Sequence, residues 1–298
     1  MKRFLPIFFL FALSSCRIRD TARLRSVETL GVDYADGCYV LSISTGEGTE
    51  ELPGLHLSAS GETLEAAMNA LEAQSDGQEL FYAHCRYVVL GENAVSALPG
   101  LFDRFERAPE LRMVLPLFCY RGAAQEPVTD EDNEVGALLR SLTESGETGG
   151  VCQIRTLLEC DRSLREQGYF LCAATDGQAL TGYALIDHTG IRYSDSEAAL
   201  GLTLLDKGLD YARLTVPLAD GYAAVETEKF HPDRDRCFRY SLRELSGRAT
   251  EEELNAAVED YLAAVTEAAN RFLGQSEPDP VYNARLIRGY DLTRSTTP

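Results

Sequence analysis

Short runs of β-branched and aromatic residues interleave with helical runs along the whole chain, and no fixed strand–helix rhythm organises them. Strand-like stretches fall at 38–44, 55–59, 81–90, 113–120, 169–174, 181–186, 211–218, 222–230, 237–242 and 281–287. Apolar residues at helical spacing fall between them: Leu64, Ala67, Met68 and Leu71, then Ala94, Leu98, Leu101, Phe102 and Phe105. Further helices are expected from Val135, Leu138, Leu139 and Leu142, and from Ile154, Leu157, Leu158 and Leu164. The longest begins at Thr250-Glu251-Glu252-Glu253, a capping-box pattern, and carries a wide apolar stripe to Phe272. Such interleaving predicts an α+β protein, mixed sheets with packed helices in two to three subdomains, rather than a doubly wound parallel sheet. No repeat of solenoid period occurs, and the clearest joint lies between Arg192 and Gly208.

The chain has no run of about 20 apolar residues, so no spanning helix is expected. Its most apolar stretch, 4–13, follows Met1-Lys2-Arg3 and leads through Ser14-Ser15 to Cys16. That is the layout of an export signal, and Leu13-Ser14-Ser15-Cys16 reads as a bacterial lipobox. A thiol is needed there to receive a diacylglyceryl group, and small residues before it let a peptidase grip extended backbone. The expected organisation is a signal peptide at 1–15, a lipidated tether at 16–29, an N-terminal region at 30–208 and a shortened C-terminal α+β domain at 209–298. Loss of 1–15 removes Lys2 and Arg3 and no acid, turning the formal −19 of the whole chain into −21. An acidic body of this kind disfavours nucleic acid and gives no electrostatic hold on anionic lipid, so the anchor would be acyl chains on Cys16, at the outer face of the cell membrane.

Chemistry is sparse in the sequence. There is no G-x-S-x-G, H-E-x-x-H, P-loop or C-x-x-C, and no cofactor or metal is expected. Seven cysteines follow Cys16, an odd number among mostly apolar neighbours, and read as buried free thiols. The strongest catalytic candidate is His84 in a strand-like run, with Glu92 or Asp103 to orient it. Its structural alternative is a histidine that fixes a strand to a neighbouring loop, and the absence of a nucleophile favours that alternative. The segment Asp103 to Arg112 balances Asp103, Glu106 and Glu110 against Arg104, Arg107 and Arg112. It is expected to clamp a helix end onto the next strand, or to dock a partner.

Four segments in order behind the lipobox carry a family resemblance. Gly31-Val32-Asp33, Ser60-Gly61-Glu62-Thr63-Leu64-Glu65-Ala66-Ala67, His84-Cys85-Arg86-Tyr87-Val88-Val89-Leu90-Gly91-Glu92, and Asp103 through Arg107, Pro109, Glu110 and Arg112 together resemble the Ger(x)C family of spore germination lipoproteins. The resemblance runs from Cys16 to about Gly122 and fades by about Gly208. The C-terminal third is shorter than the family's last domain, without the Asp-containing motif that follows the long helix. The resemblance implies a non-enzymatic lipoprotein subunit of a nutrient germinant receptor in the inner spore membrane, beside integral-membrane subunits. It marks Asp33, His84, Arg86, Glu92, Asp103, Arg107, Glu110 and Arg112 as partner-contact or structural positions. The competing expectation, from another class, is an exported ligand-binding lipoprotein of a transporter; a cell-wall hydrolase built on His84 is the third.

Overall fold

A computed structural model describes residues 24–46, 53–108, 110–132, 135–147, 152–206, 209–232, 237–246, 250–274 and 291–292. Cys16 and the expected strand at 281–287 lie outside these residues. The fold is α+β. Its centre is a nine-stranded mixed sheet built from β2 (Thr29–Ala35), β3 (Cys38–Ser44), β4 (His56–Gly61), β6 (Tyr87–Gly91), β7 (Pro116–Tyr120), β8 (Arg155–Thr156), β9 (Tyr169–Thr175), β10 (Leu180–Asp187) and β11 (Gly190–Tyr193). The order is β11-β10-β9-β7-β6-β2-β3-β4, with β8 beside β7. Strands β2, β6, β7 and β9 run parallel, and antiparallel hairpins extend the sheet on both sides. Two short strands, β1 (Leu24–Ser26) and β5 (Glu79–Phe81), pair in parallel outside it. The first described strand, β1, thus lies inside the segment expected to be tether.

Helices cover both faces, which explains why the central strands read as continuous apolar runs instead of alternating ones. On one face Val88 and Leu90, Leu117 and Cys119, and Phe170 and Cys172 meet α1 (Leu64–Gln74), α2 (Leu98–Arg107) and α5 (Leu157–Gln167). On the other, Tyr87 and Val89, Phe118, and Leu171 and Ala173 meet α3 (Gln125–Thr129), α4 (Val135–Glu147) and α6 (Ser196–Asp206). The strand period of two divides each strand's side chains between the two cores. Pro116 opens β7 in the middle of the sheet, where a first-residue proline forfeits no ladder bond; it marks neither an edge nor a bulge.

A second sheet follows, β12 (Leu209–Leu218), β13 (Gly221–Pro232), β14 (Cys237–Ser246) and β15 (Asp291–Leu292), with α7 (Glu251–Gly274) against it. The expected capping box is formed: Thr250 N–H donates to Glu253 Oε2 at 2.8 Å and Glu253 N–H to Thr250 Oγ1 at 3.3 Å. Helix α6 joins the two parts. A Cβ on Gly201 would lie 2.0 Å from the Val265 carbonyl, so glycine permits the close approach of α6 to α7. Thr203 of α6 also meets the hydroxyl of Tyr183 in β10 at 3.0 Å. The stretch between Arg192 and Gly208, expected to be a joint, therefore contains a buried helix in contact with both sheets' layers.

Candidate functional site

The motif residues collect at opposite ends of the parallel strands. At the carboxyl end, Gly31 and Asp33 share one face of β2, two residues apart, and both meet α3. Asp33 is buried and accepts N–H bonds from Ala124 (Oδ1, 3.0 Å) and Gln125 (Oδ2, 2.9 Å). Gly91, at the end of neighbouring β6, leaves room for that carboxylate: a Cβ there would lie 1.8 Å from Asp33 Oδ1 and 2.8 Å from Ala124 N. A Cβ on Gly31 would meet Ser42 Oγ at 2.2 Å. Burial raises the Asp33 pKa; the two backbone N–H bonds pull it back, and Glu126 adds to the rise. Gly31, Asp33 and Gly91 thus form one structural unit that holds the chain after β7 onto the sheet. Beside it, Glu92 is exposed and its N–H donates to the Gly122 carbonyl at 2.9 Å. The Glu92 side chain bonds Tyr193, whose ring stacks under Arg121 at 4.3 Å.

At the amino end lie β1, β5 and the loops that feed β6 and β7. His84 is not in a strand. It closes a 3₁₀ turn, Tyr82–His84, is exposed, and its Nδ1 lies 3.0 Å from Ser26 Oγ in β1. Its ring meets Phe81 edge-on at 4.7 Å. The expected orienting carboxylates are elsewhere: Glu92 follows the far end of β6, and Asp103 pairs with Arg165 at 2.8 Å. His84 thus ties β1 to the turn before β6. Arg86 pairs with Glu28 at 3.5 Å, and Arg140 of α4 reaches the same Glu28 oxygen at 3.0 Å. Glu28, which sequence reading passed over, is the hub of this end. A Cβ on Gly46 or Gly136 would come within 2.3 or 2.5 Å of its Oε2, so two glycines seat its carboxylate. A polar groove of about 560 Å³, lined in part by Glu28, His56, Glu131 and Arg140, opens beside it.

The charged segment does not clamp onto the next strand as expected; most of its pairs run sideways to neighbouring helices. Arg104 bonds Glu65 of α1 at 2.7 Å, while Arg165 of α5 meets Asp103 at 2.8 Å, Glu106 at 3.5 Å and Asp161 at 2.8 Å. Arg112 instead donates to the Cys85 carbonyl at 3.0 Å, joining the segment to the His84 turn. Arg107 and Glu110 are exposed.

Cys85, Cys119, Cys152, Cys160 and Cys172 are free and buried, and Cys38 is partly exposed. Burial pushes the thiols of Cys85, Cys119, Cys152 and Cys160 up to about 12, leaving them protonated and poorly nucleophilic. Among the described residues, no group of three or more His, Cys, Asp and Glu is placed to hold a metal ion, and no helix is long and apolar enough to cross a membrane. What the two ends supply is structural bonding and an exposed charged surface.

A family model described as the spore germination protein N-terminal domain matches residues 18–173, just over half of the chain. No curated protein and no solved structure gives a significant match.

Proposed function

The chain belongs to the spore germination protein family defined by that N-terminal domain, and its role is in spore germination. From this premise we propose that it is a membrane-anchored, non-enzymatic subunit of a nutrient germinant receptor, working beside integral-membrane subunits. The observation that carries the reading is the order of two features: the matched domain begins at residue 18, directly after the lipobox that ends at Cys16. In this reading residues 1–15 are removed, acyl chains on Cys16 hold the chain to the outer face of the inner spore membrane, and the domain presents its surface to the receptor. Two acyl chains anchor stably where one binds marginally, so a diacylated cysteine is sufficient without a basic patch. The residues suited to structural or contact roles are Asp33 and Glu92 at one end, His84, Arg86 and Arg112 at the other, and Asp103, Arg107 and Glu110 of the charged segment. The account of 30–208 and 209–298 as successive domains belongs to the same proposal, with α6 as the element between them.

The test is fractionation of spores that carry Cys16→Ala as their only copy. The variant is expected in the soluble fraction, with nutrient-triggered germination reduced. Retention in the membrane at the wild-type level would refute the anchor.

A further inference from the structure

The amino end of the parallel strands also carries β1, the first described strand. A continuous series of contacts crosses it: Ser26 of β1 to His84 at 3.0 Å, the neighbouring Cys85 carbonyl to Arg112 at 3.0 Å, and Arg112 to the turn that carries Met113 and Val114. Leu158, at the start of α5, donates its N–H to the Met113 carbonyl at 2.8 Å. Val114 is 60% exposed and Leu158 41% exposed. Among the described residues, the large apolar side chains this open are these two and Tyr222, which lies in β13 of the second sheet. Arg112, one residue before Met113, is exposed beside them.

We propose that this patch, Val114 and Leu158 with Arg112 beside them, is the surface that rests on the lipid headgroup layer. The inference rests on the anchor reading above and adds an orientation to it. Eight residue steps separate Cys16 from Leu24, a reach of no more than about 29 Å when fully extended. The roughly 230 described residues alone have a radius of gyration of about 17 Å and are wider across than that reach, so the end that carries β1 is the end held toward the bilayer. Apolar side chains enter the interfacial layer, and the Arg112 stem lies along it while its guanidinium also holds the Cys85 carbonyl. The opposite end, with Asp33, Glu92 and Tyr193, then faces away from the lipid and is open to other chains.

The sequence contains no tryptophan, which makes a single introduced one an unambiguous reporter. The full lipidated chain carrying Val114→Trp, or Ala35→Trp at the opposite end of β2, is reconstituted into phosphatidylglycerol–phosphatidylcholine vesicles containing a dansyl-headgroup lipid. Leu158→Trp serves as a second reporter of the patch should Val114→Trp fail to fold. Energy transfer to the dansyl group several-fold stronger from the patch than from Ala35→Trp is the expected result. Equal or reversed transfer with the protein sedimenting on the vesicles overturns the orientation alone. Failure to sediment overturns the anchor reading and the orientation with it. Transfer from the patch that arises in spore membranes but not in pure lipid assigns the patch to a membrane protein and overturns lipid as its occupant.

Discussion

Asp33 is a buried carboxylate with two backbone donors and a glycine in front of it, and each part of that arrangement has a measurable cost. Replacement by Asn keeps the size but turns an N–H donor group toward one of the two N–H groups it must receive. A buried donor left unsatisfied costs about 1–3 kcal/mol. The pH dependence has a definite sign. Because burial raises the folded-state pKa, the contribution of Asp33 to stability is full below its ordinary carboxylate value and is lost as pH rises through the raised one. Denaturant unfolding of Asp33→Asn and the native protein should therefore differ most near pH 4 and converge toward neutrality; a gap that widens with pH would contradict the assignment. The Gly31-x-Asp33 spacing was legible as two residues on one strand face. That Gly91 completes the site was not, because β2 and β6 become neighbours only through a crossover of more than fifty residues. Glu28 escaped for the same reason: its partners Arg86 and Arg140 and its glycine seats come from separate parts of the chain.

Among the elements, α2 separates what burial does from what charge does. Phe102 is buried and packs edge-on against Phe170 at 5.8 Å, whereas the ion pairs of Arg165 with Asp103 and Glu106 lie at the surface. Phe102→Ala should cost about 3–5 kcal/mol. Asp103→Ala should shift the denaturation midpoint far less, since its pair with Arg165 is exposed, screened and held by long side chains. The reverse ranking in urea titrations would mean that the charged belt holds α2 in place. Sequence periodicity located α1, α2, α4 and α7 because one stripe of each is apolar and the rest polar. It missed α6, whose Ala198, Ala199, Leu200, Leu202, Leu204 and Leu205 are all buried and leave no polar face to mark a period. It also began α5 too early. Thr156 and Glu159 form a second capping box, with Thr156 N–H donating to Glu159 at 2.8 Å, and that pattern was readable in the sequence.

At the scale of the whole molecule, the chain divides its conspicuous residues between an end that receives the N-terminal segment and an end that points away from it. This division follows from the parallel core: β2, β6, β7 and β9 all start at the same end, so the loops before them gather there. His84, Arg86 and Arg112 come together on that side although nearly thirty residues separate the first from the last. The resemblance by ordered segments and the domain match at 18–173 point to the same family, while the lipobox adds where the protein would work. As the proposed receptor subunit, the protein acts by contact with membrane partners. The most direct measurement of that claim is affinity capture of the tagged full chain from detergent-solubilised spore membranes, with the captured proteins identified by mass spectrometry. Co-elution in fixed ratio with a multi-pass membrane protein encoded beside it is the predicted result; elution of the chain alone from membranes that contain that protein would contradict it.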